Sequence, residues 1–231
     1  MKNILLCLGL MAFLSPALRL DAQSQRELLK VRSFTDLSVG SGINVILTAS
    51  DEHLIRIEGE RTAVSKVFCD VQEGTLIIAV GKYTWKKNRK IDVYVTYDGP
   101  INSITCSSGS DIRSETPIRS SDMQIVAKSG CDLYLSLDVE HVKLKIGSGS
   151  DARLVGKAGS ADFFVDNGSQ LNAFGLDCAK VWASVTLASK AFVYSSGYLG
   201  IAAGNDSEVR FKGNPATREI TQSGGSRVLE Q

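Results

Sequence analysis

The chain has 231 residues, a hydrophobic content of 43% and a formal net charge of +1. That composition suits a buried core and excludes a disordered chain, while the near-neutral charge excludes binding to nucleic acid through an overall basic field. Cys69, Cys106, Cys131 and Cys178 show neither CxxC spacing nor histidines at zinc-like intervals, which excludes a structural zinc site.

At the start of the chain, Met1-Lys2-Asn3, the apolar run from Ile4 to Leu14 and Ser15-Pro16-Ala17 have the three regions of a secretory signal peptide. Residues 1–22 are predicted as this signal, with the mature chain beginning around Gln23. The apolar run is too short to cross a bilayer, so no transmembrane helix is expected. Cys7 lies inside that run behind Leu6, which does not fit a lipidation site. Loss of Lys2, Arg19 and Asp21 with the signal leaves the mature chain formally neutral. The expected location is the periplasm or the outer cell surface.

Residues 23–100 alternate apolar and polar positions in runs at Leu37 to Val39, Ile43 to Leu47, Leu54 to Glu58, Val67 to Val71, Leu76 to Val80 and Ile91 to Tyr97. Turns at Asp51-Glu52, Glu73-Gly74 and Asp98-Gly99-Pro100 separate several of them. This reads as less regular β structure that packs on the following repeats and caps them. Within it, Lys82 to Lys90 gathers five cations around Tyr83 and Trp85. The ordinary reading is a solvated hairpin tip. The composition also suits stacking on sugar rings and contact with acidic groups, so Tyr83, Trp85, Lys86, Lys87 and Arg89 are the candidate ligand-binding residues.

From Ile101 the pattern becomes periodic. Turn positions Gly109, Gly130, Gly149, Gly168, Ala188 and Asp206 lie 21, 19, 19, 20 and 18 residues apart. Behind them runs an apolar column of Ile112, Leu133, Ala152, Leu171, Ala191 and Val209, followed two residues later by Ser114, Leu135, Leu154, Ala173, Val193 and Phe211. Half a repeat away, Met123, Val142, Phe163, Val181 and Leu199 form a third column, and Ile125, Leu144, Val165, Ala183 and Ile201 a fourth. Two strand columns per repeat of 19 to 20 residues predict an all-β, two-faced parallel β-solenoid. Residues 101–213 make its regular rungs, five or six of them, and residues 214–231 a C-terminal cap or tail. The aspartates beside the turns, Asp111, Asp132, Asp151 and Asp162, are read as turn stabilisers accepting backbone N–H bonds. Cys106 and Cys131, 25 positions apart, are expected to be out of phase, buried and unbonded.

Phe34 to Leu47 (FTDLSVGSGINVIL), Glu73 to Leu76, the Ser108-Gly109-Ser110-Asp111 type of repeat and the tail Gly213-Asn214-Pro215 together resemble the family of putative auto-transporter adhesin head GIN domains. The resemblance covers most of the mature chain. It implies a right-handed parallel β-helix in the cell envelope, implies adhesion through the family's name, and brings no catalytic residues.

Chemical candidates are few. Asp111, Asp132 and Asp151 stack in one column that continues as Gln170, Lys190 and Glu208; no metal site is assigned, these three and His141 being the candidates weighed, and the period of about twenty departs from the nine-residue calcium β-roll. His53 and His141 are the histidines, no GxSxG elbow is present, and His141 is read as an exposed residue at a strand edge. Of the aromatics Phe163, Phe164, Phe192, Tyr194, Tyr198 and Phe211, most are assigned to the core, with Phe164 and Tyr198 as outward members of a flat adhesive face. The expected function is a non-catalytic envelope module without cofactor, an adhesin or scaffold that binds a glycan or an envelope protein and is able to self-associate at its edges. A polysaccharide lyase or hydrolase and a periplasmic sensor or assembly scaffold are the alternatives.

Overall fold

The structure, a computed structural model, describes residues 24–81 and 90–231. The N-terminal part supplies β1 (Ser24–Lys30), β2 (Asp36–Val39), β3 (Asn44–Ala49), β4 (Leu54–Glu60), the short helix α1 (Arg61–Val64), β5 (Val67–Gln72), β6 (Thr75–Val80) and β7 (Ile91–Tyr97). Next come β8 (Ser103–Cys106), β9 (Asp111–Ser114), β10 (Ile118–Lys128), β11 (Asp132–Gly147), β12 (Asp151–Val165) and β13 (Gln170–Val185). The chain ends with β14 (Lys190–Tyr194), β15 (Tyr198–Ala203), β16 (Glu208–Lys212), β17 (Thr217–Gln222) and β18 (Arg227–Glu230).

From β8 to β18 the chain winds as a parallel solenoid of about seven turns, more than the five or six rungs expected. Each turn lays one segment on a front face and one on a back face. β8, the later parts of β10 to β13, β15 and β17 build the front; β9, the earlier parts of β11 to β13, β14, β16 and β18 build the back. The corner from back to front needs no turn, because β11, β12 and β13 bend around it as single strands of 15 or 16 residues.

The opposite corner, front to back, is a tight reversal built on two successive residues at positive φ. Ser148 and Gly149 are at 57° and 70°, Asn167 and Gly168 at 52° and 72°, and Leu187 and Ala188 both at 56°. The next residue points inward and is serine in most turns: Ser110, Ser150, Ser169, Ser189 and Ser207 are all buried. Their hydroxyls satisfy backbone groups of neighbouring coils. Ser150 Oγ accepts from the Cys131 N–H at 3.2 Å, Ser169 Oγ from the Ser150 N–H at 3.2 Å, and Ser189 Oγ from the Ser169 N–H at 3.3 Å. The serines, not the aspartates, fill the inside of each reversal, while the Asp111 and Asp151 carboxylates accept the backbone N–H groups of Asp132 and Gln170 on the next coil, as expected of them. Asp111, Asp132 and Asp151 face outward on the back of the sheet, and Asp162 lies in mid-strand on the front.

Inside, like positions stack as the repeat requires. Ile112, Leu133, Ala152, Leu171, Ala191 and Val209 pair in sequence across successive strands. Ser114, the polar interruption in the next column, accepts the Ser136 N–H at 2.7 Å and is thereby tolerated in the core. The front columns need one correction: Ala161, not Phe163, pairs with Val142 and Val181, and Phe163 pairs with Leu144 and Ala183. Both residues point inward, so alternation alone did not separate these two positions of one face.

The ladder does not stop at residue 100. β2 and β3 pair in parallel with β8 and β9, and on their other edge with β6 and β7, so the level made first in sequence lies second from that end. Beyond it the pairing turns antiparallel: β5 covers β6, while β4 and then β1 extend from β7. Ala63 and Val64 of α1 pack into the core there. At the opposite end β17 and β18 add a level past residue 213.

Candidate binding face

On a strand with one buried face, alternate residues stand out from the sheet. On the front these outward positions carry aromatic side chains across β12, β13 and β15. Phe164 lies against Trp182 with ring centroids 5.5 Å apart and planes tilted by 51°. Trp182 is the register partner of Gly200 on the next strand, and Tyr198 stands two residues before that glycine. A Cβ on Gly200 would lie 2.7 Å from the Trp182 ring and 2.9 Å from the Tyr198 hydroxyl, so the missing side chain is what lets the indole lie down on the sheet. Phe164, Trp182 and Tyr198 therefore form a diagonal row across neighbouring coils, with Trp182, 36% exposed, at its centre.

The rim of this row is polar and of mixed sign. Lys143 and Lys145 place their ammonium groups 5.6 and 5.7 Å from the Phe164 ring centroid. Asp162 is the register partner of both Lys143 and Trp182. Glu219 accepts the Tyr198 hydroxyl at 3.2 Å. Phe164 and Tyr198 were legible as outward residues, but Trp182 was missed; its position between the inward Val181 and Ala183 is the signal that places it.

His141 sits beside this row at the bend of β11, half-buried rather than exposed at a strand edge. Its Nδ1 is 2.9 Å from Ser160 Oγ and its Nε2 3.7 Å from Asp162 Oδ2. Serine, histidine and aspartate thus meet, although no sequence motif joins them. The three stand on an open sheet surface whose strands on both sides are already paired, so the local backbone N–H groups belong to the ladder and are not aimed at a developing oxyanion. His53 is remote from this cluster and packs edge-on against Phe34.

The aspartate column stands on the back face in the register read from sequence, continuing as Gln170, Lys190 and Glu208. It borders a shallow cleft of about 430 Å³ between Tyr94 and Tyr134. Partial burial, and then the charge of Asp132, raise the pKa of both Asp111 and Asp151. The carboxylates project in a line instead of converging, and among the described residues no group of three or more His, Cys, Asp or Glu side chains is placed to hold a metal ion. Other back-face aromatics are roofed by cations: Phe174 and Phe192 meet edge to face, with Lys212 4.5 Å from the first ring and Arg210 5.9 Å from the second.

Tyr83, Trp85, Lys86, Lys87 and Arg89, like residues 1–22, lie outside the described residues. Cys106, Cys131 and Cys178 are buried free thiols. As the 25-residue spacing predicts, Cys106 and Cys131 are out of phase, buried and unbonded. Cys106 is the register partner of Ala127, and the short reversal after β10 brings Cys131 back beside it.

A parallel ladder of coils with an aromatic row on one face places the chain in the class of β-solenoid repeat proteins. Residues 33–215 match the family described as "Putative auto-transporter adhesin, head GIN domain", and the chain belongs to that family. Solved structures share the fold at low identity. A "putative adhesin" from Bacteroides fragilis NCTC 9343 superposes with a TM-score of 0.81 at 19% identity, covering 91% of this chain and 98% of its own. A "putative adhesin" from Parabacteroides distasonis ATCC 8503 gives 0.72 at 17% identity over 91% and 98%. A "Putative lipid binding protein" from the same organism gives 0.66 at 13% identity, also over 91% and 98%. No curated protein matches the chain.

Proposed function

We propose that the protein is a non-catalytic module of the cell envelope that binds glycan on its front face through Phe164, Trp182 and Tyr198. The observation that carries this reading is the Trp182 indole lying over Gly200, with aromatic neighbours on either diagonal and carboxylates and ammonium groups around them. Aromatic faces stack on the C–H surfaces of sugar rings, and flanking polar groups hydrogen-bond the hydroxyls. The mixed rim suits a neutral or weakly charged saccharide better than a polyanion.

A glycan array probed with the purified chain tests the reading. Trp182→Ala is expected to weaken the recognised glycan by about tenfold or more, as loss of a central aromatic contact does. Gly200→Ala does the same by tilting the indole, with little change in melting temperature. Unchanged binding in both variants overturns the front-face site. Binding lost instead on Trp85→Ala with Lys86→Ala moves the site to the 82–89 segment. Release of reducing sugar from a bound polysaccharide overturns the non-catalytic reading in favour of a hydrolase or lyase.

A further inference from the structure

Two consecutive front-to-back reversals stack between β8 and β11. Cys106 and Ser110 flank the inside of the first, Ala127 and Cys131 the inside of the second. Cys106 is the register partner of Ala127, and Asp111 that of Asp132, which sets Cys131 over Ser110. The two thiols therefore occupy one diagonal of a four-residue throat. Both side chains are fully buried. Cys106 Sγ donates to the Ser110 carbonyl at 3.2 Å and Cys131 Sγ to the Lys128 carbonyl at 3.2 Å, so both thiols sit inside the same stacked pair of reversals.

The columns around this throat make the pair unusual. The position of Cys131 is serine in the coils on either side and beyond, at Ser110, Ser150, Ser169, Ser189 and Ser207. The position of Cys106 is held elsewhere by Val39, Ala127, Ile146, Val165, Val185 and Ala203. Cysteine thus replaces the ladder serine at the level where the diagonal neighbour is also cysteine.

We propose that Cys106 and Cys131 are a disulfide site that staples the first two sequential coils of the solenoid. The oxidant is a second disulfide, that of an exported dithiol oxidoreductase or of oxidised glutathione. One of the two thiolates attacks it to give a mixed disulfide and releases one thiol. The other thiolate then displaces the second, so two protons and two electrons pass to the oxidant and one S–S bond is gained. Because the finished core buries both sulfurs, the exchange takes place while the chain folds.

The test is refolding of the full chain in a glutathione redox buffer and, in parallel, in excess reductant. In the redox buffer the intact mass falls by about 2 Da through loss of two hydrogens, and a proteolytic peptide containing Cys106 is linked to one containing Cys131. The oxidised protein melts roughly 5 to 10 °C higher than the reduced one, the gain expected from closing a loop of this length. Cys131→Ser installs the residue the column carries elsewhere, so it folds, but it shows neither the link nor the rise in melting temperature. Cys178→Ser, at the opposite corner, retains both. Quantitative alkylation of Cys106 and Cys131 after oxidative refolding overturns the proposal, as does a link from either residue to Cys69 or Cys178.

Discussion

Leu187 and Ala188 occupy a reversal in which most other coils place glycine second, and both sit at φ 56°. An L-residue with a side chain pays about 1 kcal/mol or more for that region, whereas glycine reaches it freely. The four preceding coils use Gly109, Gly130, Gly149 and Gly168 at the position of Ala188, with φ between 68° and 72°. Ala188→Gly is therefore expected to raise stability by about 0.5 to 1 kcal/mol, after subtracting the greater entropy of glycine in the unfolded chain. Urea denaturation measures this, and a lower midpoint for the variant would show that the strain is absent. The inward serine that follows each such pair has a different task. It satisfies backbone N–H groups that the reversal removes from the ladder, which is why small polar residues lie buried here.

Within single strands, the outward columns set like groups about 5 Å apart, and on the back face these are carboxylates. Asp132 stands between Asp111 and Asp151, whose pKa values are raised above the ordinary 3.8 first by burial and then by the Asp132 charge. A raised native pKa means that stability is fully present below the unfolded pKa and is lost as pH rises through the native one, so the column costs stability at neutral pH. Asn44 already separates Asp92 from Asp111 in the same column, donating to Asp92 at 2.9 Å. Asp132→Asn extends that arrangement and is expected to gain about 0.5 kcal/mol at pH 7, with the gain fading as pH falls toward 3. An equal gain at both pH values would assign the effect to something other than charge. This column was legible in the sequence because period and polarity agree, and the Leu133 and Leu135 columns were legible for the same reason. Phe163 was misplaced by two residues because parity alone does not distinguish positions on one face. The nesting of β2 and β3 between β6–β7 and β8–β9 was not legible, since partner choice among short alternating strands is a long-range property. The Phe164, Trp182 and Tyr198 row was half legible, through strand parity, while its dependence on Gly200 required the register between coils.

At the scale of the whole molecule the two ends of the coil are closed by different means. Antiparallel β1, β4 and β5 with α1 cover the N-terminal end, so the parallel edge there is already used. The other end has no such cover among the described residues, and two of its inward columns finish on charges. Arg218 follows Leu199 in one front column and Glu230 follows Phe211 in one back column. They meet across the mouth of the coil in a bidentate pair at 2.7 and 3.0 Å, with the guanidinium 5.2 Å from the Phe211 ring centroid. An ion pair this exposed adds less than about 1 kcal/mol to folding, so its larger effect is on association: inward-pointing charges make an open strand edge a poor template for another chain. Arg218→Leu combined with Glu230→Leu turns the mouth into an apolar surface continuous with Ile220 and Val228. That variant should self-associate more strongly than the parent in sedimentation velocity, while the charge-reversed pair, Arg218→Glu with Glu230→Arg, should sediment like the parent. If the double-leucine variant sediments unchanged across a hundredfold concentration range, the charges do not guard this end, and the exposed backbone of β17 and β18 must be shielded from other chains by its shortness and twist.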